Sequence, residues 1–248
     1  MIDINSVSVR IGQTMAVDRL STRFDGGRLY GVIGPNGSGK TTLLKALAGL
    51  LPYEGDIRIA ETSLADMSLS QRAAKTGYLP QERMVAWNLS AREIVELGLT
   101  GRAVSERAAR AEAMLERVGL GACSTQGIFA LSGGQKARVL LARLMATQCP
   151  VMVLDEPLAA LDPAWQRQVL WLLKQLAAEG HTVVVSLHDL GLAVQMCDEV
   201  LVLNEGRFVA QGVPEVVISP EVLRDVFGLS GAVRDGHLWV EATPVGLG

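Results

Sequence analysis

Gly34-Pro35-Asn36-Gly37-Ser38-Gly39-Lys40-Thr41-Thr42 decides how this chain is read. It follows an apolar run, Leu29 to Ile33, and precedes a helix-like run, Leu43 to Gly49. Glycines at Gly34, Gly37 and Gly39 let successive backbone N–H groups curl around an anion with no Cβ in the way. Lys40 stands at the spacing that reaches the β- and γ-phosphates of a nucleotide, and Thr41 offers a hydroxyl to Mg²⁺. The helix opening here adds unpaired N–H groups and the positive end of its dipole. This loop between a strand and a helix predicts a nucleoside-triphosphate site.

Other polar groups are placed to meet that site. Thr76 to Leu79 reads as a short strand, with Pro80-Gln81 at its end. Val151-Met152-Val153-Leu154-Asp155-Glu156 reads as a buried parallel strand whose carboxyl end carries two acids. Thr182 to Leu187 is a second buried run, closed by His188-Asp189. In open α/β sheets the ligand crevice lies beyond the carboxyl ends of the strands. Gln81, Asp155, Glu156 and His188 are therefore predicted to face one crevice, with Asp155 holding hydrated Mg²⁺ and Glu156 polarising an attacking water.

Residues 82–147 change character, because β-branched runs give way to Ala, Leu, Glu and Arg. Ser90-x-x-Glu93 is a capping-box signature. Ala108, Ala111, Leu115 and Val118 recur at helical spacing opposite a charged face. Leu131-Ser132-Gly133-Gly134-Gln135 precedes another helix and predicts a second anion site, built like the first from glycine N–H groups, a hydroxyl and a helix start.

Around this framework, Ile2 to Ile11 reads as a strand with a bulge at Asn5-Ser6, followed by short strands near Met15 to Val17 and Leu20 to Phe24. Gly55, Ile57 and Ile59 return a strand to that antiparallel patch. Asp162 caps a helix with Pro163 in its first turn, and the apolar spacing predicts that this helix turns its tryptophans to the core. After two strands at Glu199 to Leu203 and Arg207 to Ala210 come two short helices and a hairpin, Ala232 to Ala242, turning at Asp235-Gly236.

The totals narrow the function. A chain of 248 residues buries a continuous core, and a net charge of −3 offers no electrostatic footprint for nucleic acid. Cys123, Cys149 and Cys197 lack the spacing of a disulfide framework or zinc site and read as small hydrophobes. No basic-then-apolar leader and no run of about 20 apolar residues is seen, so the chain is expected to be cytosolic or peripheral. A hydrophobic fraction of 49% fits a buried parallel sheet and leaves room for an apolar docking surface.

Taken together, the cradle, Gln81, LSGGQ and the strand ending in Asp155-Glu156 resemble the ATP-binding subunit of an ATP-binding-cassette (ABC) transporter over nearly the whole chain. LSGGQ discriminates, since other phosphate-loop nucleotidases share the cradle and the acidic strand but lack it. The resemblance implies an α/β fold: a phosphate-loop ATPase core with a mainly parallel sheet (1–82 and 148–212), an antiparallel β patch, an inserted helical signature subdomain (83–147) and a C-terminal appendix (213–248). Gly34 to Thr42 would hold ATP, with Lys40 on its phosphates and Thr41, Gln81 and Asp155 on Mg²⁺. Glu156 would be the catalytic base and His188 the switch histidine on the γ-phosphate. Ala160 to Asp162 would couple two sites. Ser132, Gly133, Gly134 and Gln135 would serve ATP held by a second copy of the chain, in a head-to-tail homodimer.

One position departs from the family. Where many members carry an aromatic residue that stacks on adenine, this chain has Ile11, with Arg10 beside it. Ser68 to Gln81, His188-Asp189-Leu190 and the run from Cys197 to Phe227 are similar to importers of iron-siderophore, haem and cobalamin. The expected partners are a second copy, transmembrane permease subunits docking near residues 82–97 with Trp87, and indirectly a substrate-binding protein. The expected location is the cytoplasmic face of the inner membrane. An exporter or other importer ATPase, a non-transport ABC ATPase and an inactive regulatory subunit are the alternatives. The last two would call for a coiled-coil insertion or basic surface, or for loss of Glu156, His188 or the signature glycines.

Overall fold

The structure is a computed structural model that describes residues 1–82 and 84–241. The chain opens with β1 (Ile2–Ile11), β2 (Thr14–Phe24) and β3 (Leu29–Ile33), and the glycine-rich loop leads into α1 (Lys40–Leu47). Next come β4 (Glu54–Ile59), β5 (Thr62–Ser63), α2 (Leu69–Lys75) and β6 (Thr76–Leu79). Three helices follow, α3 (Ala91–Glu96), α4 (Val104–Arg117) and α5 (Gly133–Ala146). The core resumes with β7 (Val151–Leu154), α6 (Pro163–Ala178), β8 (Thr182–Ser186), α7 (Leu190–Met196), β9 (Glu199–Asn204) and β10 (Arg207–Gly212). α8 (Pro214–Val217), α9 (Pro220–Phe227) and the hairpin β11 (Gly231–Arg234) and β12 (His237–Val240) close it. The expected end of that hairpin, Ala242, lies outside the described residues.

The main sheet runs β10-β9-β3-β8-β7-β6, with β9, β3, β8, β7 and β6 parallel and β10 antiparallel at one edge. Its central strands are apolar throughout because both faces are covered. Leu29, Ile33, Met152, Leu154, Val183 and Val185 join a core with the helices of the 91–146 region and with α6 and α7. Tyr30, Val32, Val151, Val153 and Val184 face the other way, onto α1 and the antiparallel sheet β2-β1-β4-β5. Each such side chain contributes about 1.5–3 kcal/mol on burial.

Local signals were accurate at helix starts. Ser90 forms the expected capping box with Glu93, and the structure adds two that the sequence reading did not name, Ser68 with Gln71 and Ser132 with Gln135. Asp162 caps α6 by accepting the Trp165 N–H. The turn at Asp235-Gly236 has both residues at positive φ, as a two-residue hairpin loop requires.

Three expectations change. The two short strands near residues 15–17 and 20–24 are one strand, β2. Arg19 takes φ 44° and turns its N–H onto Ser8 Oγ at 2.9 Å, so the ladder with β1 passes the irregularity instead of ending there. Trp171 is 53% exposed, because it falls on the side of α6 away from Val169, Leu172, Leu173 and Leu176. Trp165 alone of the pair packs against the core. Of the cysteines, Cys149 and Cys197 are buried and Cys123 is partly exposed.

Candidate nucleotide site

Gly34 follows β3, Gln81 follows β6, Glu156 follows β7 and His188 follows β8, so four adjacent parallel strands deliver their carboxyl ends to one place. At Gly34 a Cβ would run into the Leu203 carbonyl oxygen and stand 2.6 Å from Ser38 Oγ, so the loop closes only with glycine there. Ser38 N–H donates to Pro35 O at 3.2 Å, which curls the loop. Lys40 is buried, and its Nζ donates to the carbonyls of Gly34 (2.8 Å) and Pro35 (2.9 Å), spanning the loop it would complete. Burial pulls the Lys40 ammonium below its ordinary value, against the opposing pull of Glu156 and Asp155. Ser38 Oγ is buried with no hydrogen-bond partner among the described residues. A cradle with a spare buried hydroxyl and a desolvated cation fits a polyphosphate.

Beside the cradle, Asp155 is 1% exposed and gathers three hydroxyls: Thr41 at 3.1 Å, Ser186 at 2.8 Å and Tyr78 at 3.3 Å. Burial, with the Asp155 carboxylate beside it, pushes the Tyr78 phenol up, so Tyr78 stays a donor. Glu156 takes φ 47° at the turn after β7, and its backbone N–H donates to Ser186 Oγ at 2.8 Å. Its carboxylate accepts from Gln81 Nε2 at 2.8 Å and meets His188 Nε2 at 2.5 Å. Glu156, Ser186, His188 and Asp189 line a cavity of 190 Å³ with Gln166 and Leu192. Ser186 and Tyr78 are members that the sequence reading missed. The visible sign of Ser186 was a hydroxyl ending an otherwise valine-rich strand; Tyr78 gave none, being one more β-prone residue.

No cluster of three or more His, Cys, Asp and Glu among the described residues is poised to hold a metal ion by itself. That suits Mg²⁺, which usually takes one or two protein oxygens and completes its shell with phosphates and water. Thr41 and Asp155 are the oxygens that fit, and Gln81 lies next in the network.

The remaining predicted residues lie elsewhere. Ser132 to Gln135 start α5, where Gln135 Oε1 accepts the Ser132 N–H at 2.8 Å and Gln135 Nε2 points to Cys123 Sγ at 3.9 Å, so the Gln135 side chain is engaged within its own chain. Gly133 and Gly134 pack against Ala160 and Leu161, not against the cradle of the same chain. Asp162 is exposed at the head of α6. Pro35, Asn36 and Gly37 form the loop, while Thr41 and Thr42 start α1, both partly buried. Ile11 is 48% exposed at the tip of the β1–β2 hairpin, and Ala16 of the same hairpin touches Gly39 of the cradle. Arg10 lines a separate cavity of 210 Å³ with Tyr53 and Glu54, and neighbouring strand residues face opposite sides. Arg10 is therefore no substitute for an aromatic at Ile11.

A phosphate cradle and a carboxylate–histidine–glutamine cluster at the ends of a parallel sheet define a nucleotide-binding protein of the phosphate-loop class. Comparison with known proteins narrows the class. The sequence profile of the ABC transporter family matches residues 17–159. A hemin import ATP-binding protein of Shewanella denitrificans is 36% identical over 92% of this chain and 93% of its own length. A cobalamin import ATP-binding protein of Halobacterium salinarum is 34% identical over 94% of this chain, and the chain spans 60% of that protein's length. The dimeric cassette MJ0796, solved in a post-hydrolysis state with ADP and Pi, superposes with a TM-score of 0.79 at 28% identity, covering 86% of this chain and 99% of that one. The chain belongs to the ABC transporter family.

Proposed function

We propose that this chain is the ATP-binding and ATP-hydrolysing subunit of an ABC importer, and that it works as a head-to-tail pair on the cytoplasmic face of a membrane. The observation that carries the reading is the single network joining Thr41, Asp155, Ser186, Glu156, His188 and Gln81 beside the Lys40 cradle. Gly34 to Thr42 bind the phosphates, and Lys40 neutralises charge that develops on the γ-phosphoryl group. Thr41, Asp155 and Gln81 would hold Mg²⁺, which supplies further charge neutralisation on the phosphates. Glu156 takes the proton of the attacking water, and His188 and Gln81 hold the Glu156 carboxylate in place for it. Ser132, Gly133 and Gly134 close over nucleotide in the partner copy, with Ala160 to Asp162 joining the two sites.

Hemin and cobalamin importers among the relatives support a cargo of haem, cobalamin or iron-siderophore type. No helix among the described residues is long and apolar enough to cross a membrane. On this reading a permease supplies the path, docking on the segment that exposes Met84 and Trp87, with a substrate-binding protein delivering the ligand. The division into a core (1–82 and 148–212), a helical subdomain (83–147) and an appendix (213–248) follows the same reading. The test is phosphate release by the purified chain from ATP with Mg²⁺, abolished by chelation and stimulated in the reconstituted permease complex. A folded chain that binds ATP with Mg²⁺ yet releases no phosphate, alone or in the complex, contradicts it.

A further inference from the structure

Arg138 is a buried cation that the chemistry above does not use. It lies on α5, in the turn after the signature segment, and is 8% exposed. Its Nη1 donates to the carbonyls of Val118 (2.9 Å) and Gly119 (3.4 Å) at the end of α4, where helix carbonyls lack partners and a cation is favoured. Its guanidinium carbon stands 3.6 Å from the centroid of the Trp165 ring. Gly119 makes this approach possible, since it takes φ +67° and a Cβ there would stand 2.6 Å from the ring. Arg138 Nε is buried with no hydrogen-bond partner among the described residues, and burial pulls the guanidinium pKa down despite the attraction of Asp162. A partly satisfied buried charge is a poor way to gain stability, as an apolar residue of similar volume does as well or better.

The location of the stack supplies another reason for it. The backbone N–H of Trp165 donates to Asp162 Oδ1 at 3.0 Å, so the first turn of α6, which carries the ring, is tied to the end of the Ala160–Asp162 loop. That loop already lies against the signature glycines: a Cβ at Gly134 would stand 3.3 Å from Ala160 O and 3.5 Å from Leu161 Cδ2. α5 and the loop are thus joined at two points, by the glycines at the helix start and by the Arg138–Trp165 stack further along. We propose that this stack is a clamp that holds Ser132, Gly133, Gly134 and the Ala160–Asp162 loop as one rigid face presented to the nucleotide of a second copy of the chain. The clamp rests on the two-copy reading given above. Arg138 and Trp165 are positioning residues: they touch neither nucleotide nor reacting atoms, and they act on closure and turnover.

The test uses the full chain, with turnover measured in the native background and closure in the Glu156→Gln background. Trp165→Leu keeps an apolar side chain but removes the ring. Its kcat falls about tenfold and the ATP concentration needed to dimerise rises by about the same factor, while nucleotide affinity of the monomer stays within about twofold. Trp165→Phe restores most of both. Arg138→Lys reproduces Trp165→Leu, and the double variant is no worse than either alone because both remove one contact. Native turnover and closure in Trp165→Leu overturn the clamp, as do additive losses or an equal loss of monomer affinity. If Trp165→Leu does not fold, Trp165→Phe and Arg138→Lys decide: unchanged kcat in Arg138→Lys overturns the clamp. Failure of Glu156→Gln itself to dimerise on ATP overturns the two-copy reading, and the clamp with it, whereas dimerisation that ignores Trp165 overturns the clamp alone.

Discussion

Ser186 Oγ donates to the buried carboxylate of Asp155 at 2.8 Å. The same oxygen accepts the backbone N–H of Glu156 at 2.8 Å, so one hydroxyl fixes both acidic residues of the site relative to β8. It acts as a strut between the group assigned to Mg²⁺ and the group assigned to water.

Ser186→Ala removes the strut without changing the strand. The Glu156 N–H loses its acceptor, and an unsatisfied buried donor costs about 1–3 kcal/mol. Urea denaturation should show a loss of that size, with kcat reduced more than nucleotide affinity, since the cradle is untouched. A variant as stable and as active as the parent would show that Ser186 is a bystander.

If the base lies beside Ile11, as the family resemblance implies, it meets no stacking surface there, because Ile11 is half-exposed and Arg10 lines another cavity. ATP and GTP should therefore bind with similar affinity. Ile11→Tyr supplies a stacking surface and should tighten ATP by about 1–3 kcal/mol. Fluorescence titration of both nucleotides against both proteins checks this, and strong preference for ATP by the parent chain would count against the assignment of the base site.

Lys40 gives the site a pH dependence. Burial holds its ammonium below the ordinary 10.5 in the free protein, and phosphate oxygens against it favour the charged form. Its pKa is therefore lower free than bound. Between those two values, binding takes up a proton, so affinity falls as pH rises through the free-state value and the loss is complete above the bound-state value. Calorimetric titration in two buffers of different ionisation enthalpy should reveal proton uptake on the alkaline side of neutrality. Proton release, or affinity that climbs with pH there, would contradict this account of Lys40.

The legible parts of this molecule are those written in short range. The cradle from Gly34 to Thr42, the capping box at Ser90 and Glu93 and the apolar runs feeding Asp155 and His188 each occupy a few consecutive residues, and their chemistry admits few alternatives. From strand ends alone, Gln81, Glu156 and His188 could be placed in one crevice, because a parallel sheet brings all carboxyl ends to the same side. Relations between distant segments were hidden. Ser186 reads as an ordinary strand end until β8 is seen beside β7, and Arg138 reads as a surface charge until the ends of α4 and α6 close over it. Trp171 misled because an amphipathic helix names its buried stripe clearly but does not forbid a large apolar residue outside it. Arg19 misled because a kink inside a strand and a gap between strands look alike in a hydrophobicity pattern.

The central claim is that hydrolysis occurs at a site shared by two copies, with Glu156 as its base. Glu156→Gln keeps the hydrogen-bonding shape of the side chain but accepts no proton. Light scattering on the purified variant should show a monomer without nucleotide or with ADP, and a stable dimer with ATP. Adding Ser132→Arg should abolish the dimer while nucleotide binding by the monomer is retained. A Glu156→Gln chain that stays monomeric with ATP and still releases phosphate at the native rate would contradict the account at its base.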